Sequence, residues 1–151
     1  MRVVIQKVKE ASVSVENKVI SSIQHGLLIL VGIENDDTED DISYLVRKIV
    51  QLRIFNDEND VMNLSVQDVN ANVIVVSQFT LHASTKKGNR PSYIRAARPE
   101  HSIPMYEKFV TEMETTLGKK VGTGEFGAMM DVALINDGPV TIIIDSKQKD
   151  F

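Results

Sequence analysis

The sequence predicts an α+β domain in which a mainly antiparallel, barrel-like β-sheet is combined with two main helices. Three observations support this class. Apolar runs rich in β-branched residues fill the first third of the chain, two later segments have apolar residues at helical spacing, and the chain closes with further strand-like runs. A length of 151 residues is typical of one domain, so a single domain over residues 1–151 is expected.

The first third is predicted to form an antiparallel meander. Ala11, Val13 and Val15 alternate with two serines, which is the period of a half-buried strand. The run after Gly26 is continuously apolar, which is typical of a buried strand. The predicted strands are residues 2–8, 11–15, 19–23 and 27–33, and two more are expected near 131–135 and 140–145.

Two helices are predicted between these strands. The first begins at Thr38, whose hydroxyl can cap the first turn, ahead of three acidic residues that favour the positive end of the helix dipole. The second covers residues 102–117, with Pro104 in its first turn and Gly118 at its end. The expected buried faces are Ile42, Leu45, Val46 and Ile49 in the first helix, and Tyr106, Phe109, Val110, Met113 and Leu117 in the second.

Composition excludes several classes of protein. The chain has no cysteine, which rules out disulfides and thiol catalysis, and no signal-peptide pattern at its start. No apolar run approaches the ~20 residues of a membrane span. The formal net charge of −4 argues against a general nucleic-acid-binding protein, which is usually basic. A cytoplasmic protein without a membrane partner is expected.

One segment differs from this acidic average. Residues 83–99 contain no acidic side chain but several basic ones. Such a cluster can contact phosphates, or it can be a solvated loop, and the residues alone leave both interpretations open. Its basic side chains are Lys86, Lys87, Arg90, Arg95 and Arg98.

The side-chain machinery of ordinary hydrolases is not evident. There is no G-x-S-x-G nucleophile elbow, and no spacing of His, Asp and Glu indicates a zinc site, so no metal or cofactor is expected. His82 lies two residues after Thr80, so on a strand both side chains would share a face and could form a nucleophile–base pair. The preferred interpretation is that His82 is a polar residue at a strand end. The other histidines are His25 and His101.

Two segments place hydrogen-bonding groups at strand ends. In residues 77–81 (SQFTL), backbone N–H groups at an irregular strand end can stabilise the negative charge that develops on a carbonyl oxygen during ester hydrolysis. The alternative is a strand whose Ser and Thr face water. In residues 136–141 (NDGPVT), a proline without an N–H for the sheet follows Asp-Gly, and the bond between Gly138 and Pro139 is predicted to be cis.

Together, these two segments resemble the D-aminoacyl-tRNA deacylases. Residues 1–6 (MRVVIQ), 27–33 (LLILVGI), 90–93 (RPSY) and 124–130 (GEFGAMM) support the resemblance, which covers essentially the whole chain. It implies an enzyme that hydrolyses the ester between the 3′-terminal adenosine of tRNA and a D-amino acid or glycine. Its role would be chirality proofreading in translation.

The resemblance also implies roles for individual residues. Ser77 and Gln78 would hold the ester carbonyl and the terminal adenosine, Phe79 would line the pocket, and Thr80 would lie beside the ester. Thr80 has been considered a nucleophile in this family. The other account is substrate assistance, in which the terminal ribose hydroxyl helps to activate water, and it is preferred because no side-chain base is evident near Thr80. The remaining implied contacts are Phe126, Met130 and Lys7 for the substrate, and Lys86, Lys87 and Arg90 for the tRNA.

The resemblance further implies a homodimer in which each subunit inserts a cis Gly-Pro into the pocket of its partner. Gly138 and Pro139 would be this filter, whose carbonyls exclude an L side chain and admit a D side chain or glycine. One departure is Lys7, since many relatives carry arginine after Gln6. Lysine offers a point charge where arginine offers a planar fork, so the way in which the Gly-Pro loop is braced is left open.

Two other classes of function stay open from the sequence. One is a non-catalytic RNA-binding module that uses residues 86–98, which the acidic net charge disfavours. The other is a small-metabolite hydrolase with a pocket at the dimer interface.

Overall fold

A computed structural model describes residues 1–150 and has the predicted α+β class, with two α-helices and a nearly closed six-stranded sheet. The helices pack against each other and against one face of the sheet. In chain order the elements are β1 (Arg2–Val15), β2 (Lys18–Ile23), β3 (Gly26–Gly32), α1 (Glu39–Gln51), β4 (Phe55–Asn56), β5 (Met62–Leu64), β6 (Asn72–Ser77), a 3₁₀ turn (Phe79–His82), α2 (Pro99–Leu117), β7 (Gly122–Thr123) and β8 (Asp131–Asp145).

The sheet is mixed: most of its pairing is antiparallel, as predicted, but it also contains parallel pairs. Its order is β2-β1-β3-β6-β7, with β8 on the other edge of β1. β1 pairs antiparallel with β2, β3 and β8, whereas β3–β6 and β6–β7 are parallel pairs. The chain between β3 and β6 includes α1, and such a long crossover returns the next strand in the same direction. The predicted meander is wrong, because β2 and β3 both pair with β1.

The two strands predicted within the first fifteen residues are one strand, β1. Val3 faces the main core, whereas Val13 faces a smaller core on the other side of the sheet. The register with β8 skips Lys9, which lies between the paired residues Val8 and Glu10. An extra residue of this kind is a β-bulge, and it switches the face on which the following side chains lie.

Both helices bury the faces predicted from their apolar spacing, and α1 has the capping box at Thr38. α2 begins at Pro99, three residues before the predicted start. Proline fits the first position of a helix because its missing N–H would have no partner there. Pro104 is therefore inside the helix, and Gly118 ends it with a left-handed φ of 70°. Within residues 1–150, neither helix is long and apolar enough to cross a membrane.

Tyr106 ties α2 to the sheet. Its side chain is buried, and its hydroxyl donates a hydrogen bond of 2.7 Å to the carbonyl of Val75 in β6. Burial raises the pKa of Tyr106 to about 12. Because the ionised side chain is disfavoured in the folded state, this residue favours folding fully below its unfolded pKa, and that contribution is lost as the pH rises through the folded pKa.

We therefore expect the free energy of unfolding to decrease as the pH is raised from the ordinary tyrosine pKa of 10.0 to the raised pKa of about 12. Tyr106→Phe should lose about 1 kcal/mol at neutral pH, because the carbonyl of Val75 loses its donor. In the alkaline range, wild type should lose up to ~1.4 kcal/mol per pH unit relative to the variant. Urea unfolding of both proteins across this range measures the difference, and parallel pH profiles would contradict the assignment.

Candidate active site

The segment after β6 is an irregular strand end, as predicted. Ser77 is the last residue of β6 and pairs with Val31 in β3, and the amide of Gln78 donates to the carbonyl of Val31 at 2.8 Å. The chain then enters the 3₁₀ turn, in which the amide of Leu81 donates to the carbonyl of Gln78 at 3.2 Å. The end of the parallel pair β3–β6 thus fixes where this turn starts.

The turn presents two backbone donors. The first amides of a 3₁₀ turn have no acceptor inside it. Within residues 1–150, the amides of Phe79 and Thr80 donate to no other group. Two adjacent free N–H groups are what an oxyanion hole requires, because they can bind a carbonyl oxygen as it becomes negatively charged.

The side chain of Thr80 is engaged by Gln78 and not by a histidine. The Gln78 amide nitrogen Nε2 donates to Thr80 Oγ1 at 2.5 Å. His82 is 1% exposed, and neither of its ring nitrogens has a hydrogen-bond partner within residues 1–150. The strand-based pairing of Thr80 with His82 is therefore wrong, because a 3₁₀ turn does not place residues two apart on one face. The interpretation of His82 as a polar strand-end residue is wrong too, since it is buried in a turn.

A cavity of about 400 Å³ lies beside the turn. Ser77, Gln78 and Phe79 form one wall, and Phe126 faces them from the loop after β7. The half-exposed rings of Phe79 and Tyr93 meet edge to face, with centroids 5.0 Å apart. The other lining residues are Val31, Ile33, Ala96, Ala97, Arg98, Pro99, Ser102 and Gly127. This combination suits a ligand with an apolar ring and a polar end.

The amino-terminal end of α2 also lines this cavity. Arg98 is the residue before the helix, and Pro99 and Ser102 belong to its first turn. The amino-terminal end of a helix carries a partial positive charge. Together with the charge of Arg98, it favours an anionic group at this side of the cavity.

Two residues that the sequence did not single out support the turn. Arg2 Nε donates to Asp145 at 2.9 Å, and its Nη1 donates to the carbonyl of Leu81 at 3.1 Å. Gly32 lies against the turn, where an added Cβ would come within 3.0 Å of His82 and 3.1 Å of the Gln78 carbonyl oxygen. A charged residue at the start of a strand and a glycine at the end of one were the available signals, but neither indicates which segment it contacts.

The NDGPVT segment forms a wide bulge in β8. Asn136 and Thr141 pair with residues of β1 only two apart, so three extra residues leave the ladder between them. The Gly138–Pro139 peptide is cis, as predicted, and Gly138 has a φ of 121°. Asn136 holds the neck of the bulge: its Nδ2 donates to Thr141 Oγ1 at 2.9 Å, and its Oδ1 accepts from the amide of Val140 at 3.1 Å.

Several predicted site residues lie outside the cavity lining. Gly138 and Pro139 are exposed on their bulge, and buried Lys7 lies opposite this bulge, where the register of β1 with β8 skips. Met130 packs against the smaller core. Thr80, although it is in the turn, does not line the cavity. Exposed residues Lys86, Lys87 and Arg90 are in a loop closed by paired Ser84 and Ser92.

Known proteins match this chain over nearly its full length. Residues 4–145 match the family described as D-Tyr-tRNA(Tyr) deacylase. D-aminoacyl-tRNA deacylases of Flavobacterium psychrophilum and Bacteroides fragilis are 65% and 61% identical over 150 residues, which cover 99% of this chain and 100% of each relative.

Solved structures agree with this fold. A protein named c-Myc DNA Unwinding Element Binding Protein superposes with a TM-score of 0.92 and 39% identity, over 96% of this chain and 98% of that chain. A probable eukaryotic D-amino acid tRNA deacylase superposes with a TM-score of 0.82 at 16% identity, over 95% and 97% of the two chains. At that identity the second likeness supports the fold alone.

The matches place the chain in one class of enzymes, the hydrolases that act on carboxylic ester bonds. Within that class, the chain belongs to the D-Tyr-tRNA(Tyr) deacylase family. The resemblance seen in the two strand-end segments is thereby confirmed.

The close approach of Gly32 to the turn gives a prediction. Gly32→Ala should displace the turn, because the added Cβ meets atoms at 3.0–3.1 Å. We expect the free energy of unfolding to fall by about 1–3 kcal/mol, which is typical when a side chain is added to a well-packed site. Hydrogen exchange at the amides of Leu81 and Ala83, which are bonded within the turn, should accelerate. The amides of Leu28 and Ile29 in β3 are the internal control, and unchanged exchange at Leu81 and Ala83 would contradict the contact.

Proposed function

We propose that the protein hydrolyses the ester bond of D-aminoacyl-tRNA, and of glycine attached to a non-cognate tRNA, and releases free amino acid and tRNA. The observation that carries this proposal is the pair of free backbone amides at Phe79, which lines the cavity, and at the adjacent Thr80. The relatives named D-aminoacyl-tRNA deacylase, which match the full chain, support the choice of substrate. The activity belongs to chirality proofreading in translation.

The two amides bind the carbonyl oxygen of the ester and stabilise the oxyanion that forms when water attacks. One such donor contributes about 3 kcal/mol, so the pair accounts for much of the rate enhancement. Water adds to the carbonyl carbon, and the bond between this carbon and the ribose oxygen breaks. The ribose oxygen then takes up the proton that the attacking water has lost. Ser77 and Gln78 hold the ester and the terminal adenosine, and Phe79 and Phe126 line the pocket.

Thr80 positions the ester and is not the nucleophile. Its hydroxyl oxygen accepts a hydrogen bond from Gln78, and the buried ring of His82 is not bonded to it. Within residues 1–150, no base is therefore in place to take its proton. The terminal ribose hydroxyl of the substrate supplies the missing help by activating the attacking water.

The tRNA end enters between the aromatic rings and the basic loop, which is the loop over residues 84–92. The exposed rings of Phe79 and Tyr93 offer an apolar surface for the terminal adenine, and α2 points its positive end towards the cavity. Lys87 and Arg90 in the exposed loop contact phosphates further along the acceptor end, together with Lys86.

A second copy of the chain completes the site. β8 pairs only with β1 among the described strands, so a 15-residue strand has one unpaired edge. Val132, Ile135 and Ile143 are 37–49% exposed along it. A long edge with apolar side chains favours association. The homodimer places the bulge with Gly138 and Pro139 of each subunit in the cavity of its partner.

The inserted bulge selects the substrate by exclusion. Its backbone carbonyls occupy the space that an L side chain requires, whereas a D side chain points away and glycine has none. Asn136 holds the bulge at its neck, and Lys7 with Met130 supports the region from β1 and from the loop before β8.

A non-catalytic nucleic-acid-binding module is the second candidate. The exposed basic loop favours it, as does the neighbour named for DNA binding. It leaves the two free amides of the turn without a role. Release of amino acid from a charged tRNA distinguishes the two candidates.

The deacylase proposal predicts chiral discrimination. On one tRNA, the D-tyrosyl ester should be hydrolysed and the L-tyrosyl ester spared, and glycine on a non-cognate tRNA should be released. Thr80→Val should lower kcat without abolishing it, because the hydroxyl positions the ester and is not the nucleophile. The variant should still fold. Acid-gel or thin-layer detection of released amino acid measures each rate. Equal rates on D and L esters would refute the filter, and a trapped covalent aminoacyl-Thr80 would refute substrate assistance.

The homodimer proposal predicts a change of mass when β8 is made polar. Ile135→Asp combined with Ile143→Asp should give a monomer by analytical ultracentrifugation, because each charge would be desolvated in the interface. Met62→Asp is a matched control, since Met62 is 55% exposed in the β4–β5 hairpin. A monomeric wild type, or a monomer produced by Met62→Asp alone, would contradict this interface.

A further inference from the structure

Glu34 follows Ile33, which lines the cavity, and it holds residues 95–97, which lie just after the basic loop. It follows β3, and its side chain is 11% exposed. The carboxylate oxygen Oε1 accepts a hydrogen bond from Arg95 Nε at 2.9 Å, and Arg95 Nη2 forms an ion pair with the same oxygen at 2.6 Å. The backbones are also joined: Glu34 pairs with Ala96, and the amide of Ala97 donates to the carbonyl of Ile33.

A second donor is placed beside the same oxygen. His82 Nδ1 is 3.7 Å from Glu34 Oε1, which is too long for a hydrogen bond. The ring is buried, and neither nitrogen has a partner within residues 1–150. Buried polar groups are normally hydrogen-bonded, so an unpartnered ring at this position calls for an explanation.

We propose that Glu34 exchanges partners, from Arg95 to His82, when Arg95 binds a phosphate of the tRNA acceptor end. This rests on the proposed function for its substrate. His82 is then a positioning residue, which acts through Glu34 and touches no reacting atom. Arg95 is a further tRNA contact.

The exchange follows from the cost of a buried carboxylate without a partner. Arg95 cannot leave Glu34 unless another donor replaces it. A shift of roughly 1 Å brings the His82 N–H to hydrogen-bond distance of Oε1. Because His82 has no other partner to give up, its hydrogen bond to Glu34 offsets part of what the carboxylate loses when Arg95 departs.

Arg95 is well placed for the phosphate. Its side chain is half exposed, and Tyr93, two residues before it, and Ala96, directly after it, line the cavity. The backbone pairing of Glu34 with Ala96 keeps the backbone next to Arg95 in place, so only the Arg95 side chain has to move. The guanidinium fork can then form two parallel hydrogen bonds to phosphate oxygens.

The salt dependence of KM tests the exchange. Wild type, Arg95→Gln, His82→Phe and the double variant are compared in hydrolysis of D-tyrosyl-tRNA at a series of salt concentrations. Arg95→Gln should lower the slope of log KM against log salt by roughly one unit, the value for one lost phosphate contact. His82→Phe should lower it by the same amount, because Arg95 then stays on Glu34, and the double variant should lower it no further.

Matched variants separate this effect from a general disturbance. His82→Gln keeps an N–H donor and should restore the wild-type slope, which a purely space-filling role of His82 would not require. Lys87→Gln removes an exposed loop charge, and its effect should add to that of His82→Phe. If His82→Phe retains the wild-type slope, or if Arg95→Gln does not change it, the exchange is wrong.

Unfolding of the free protein tests the same exchange without substrate. In urea, Arg95→Gln should shift the unfolding midpoint further down in the His82→Phe background than in wild type, because no donor is left for Glu34. Equal shifts in the two backgrounds would overturn the exchange. If His82→Phe does not fold, His82→Leu takes its place in both experiments. If wild type does not hydrolyse D-tyrosyl-tRNA, the proposed function alone is refuted. The exchange is still tested by the unfolding midpoints, because that experiment needs no tRNA.

Discussion

The parallel pairing of β6 with β3 is the constraint on which the rest of the site depends. Both strands are almost fully buried, so their register is fixed by packing on both faces. Parallel strands that start together also end together, at the same end of the sheet. The hydrogen bond from the Gln78 amide to the Val31 carbonyl is the last one between β6 and β3. Because of that pairing, one end of the sheet brings together the turn with the free amides, Glu34 and the start of α2.

Two ion pairs at this end of the sheet, Arg2 with Asp145 and Arg95 with Glu34, hold charged groups away from the free donors of the turn. Asp145 shows how firmly they are held. Burial raises the pKa of this carboxyl, but hydrogen bonds from the amides of Lys147 and Gln148 and from Arg2 outweigh burial and lower it below its ordinary value. Arg2 also donates to Leu81, so the buried ion pair extends to the turn itself. A candidate oxyanion hole made of backbone amides needs this kind of support, because the amides cannot be repositioned by rotating a side chain.

Local signals in the sequence predict much of the fold and of the turn. The α1 cap and the buried faces of both helices follow from spacing and side-chain chemistry. The cis Gly138–Pro139 peptide and the irregular end at Ser77 follow from motifs. Long-range arrangements do not follow in this way. The parallel direction of β6 depends on the path of the crossover, and the contacts of Gly32, Arg2 and His82 depend on which segments fold against them.

The bulge at Lys9 makes the packing of β1 sensitive to the gain or loss of a single residue. Upstream of it, odd-numbered side chains such as Val3 face the main core, and downstream of it odd-numbered side chains such as Val13 face the smaller one. One strand thus serves two cores on opposite faces of the sheet, and a single unpaired residue makes the change. A deletion there would turn Ser12 and Ser14 inwards and the valines outwards along the whole second half of the strand. Only a compensating insertion within β1 itself would return Val13 to the smaller core, because a change in β8 moves the side chains of β8 and not those of β1.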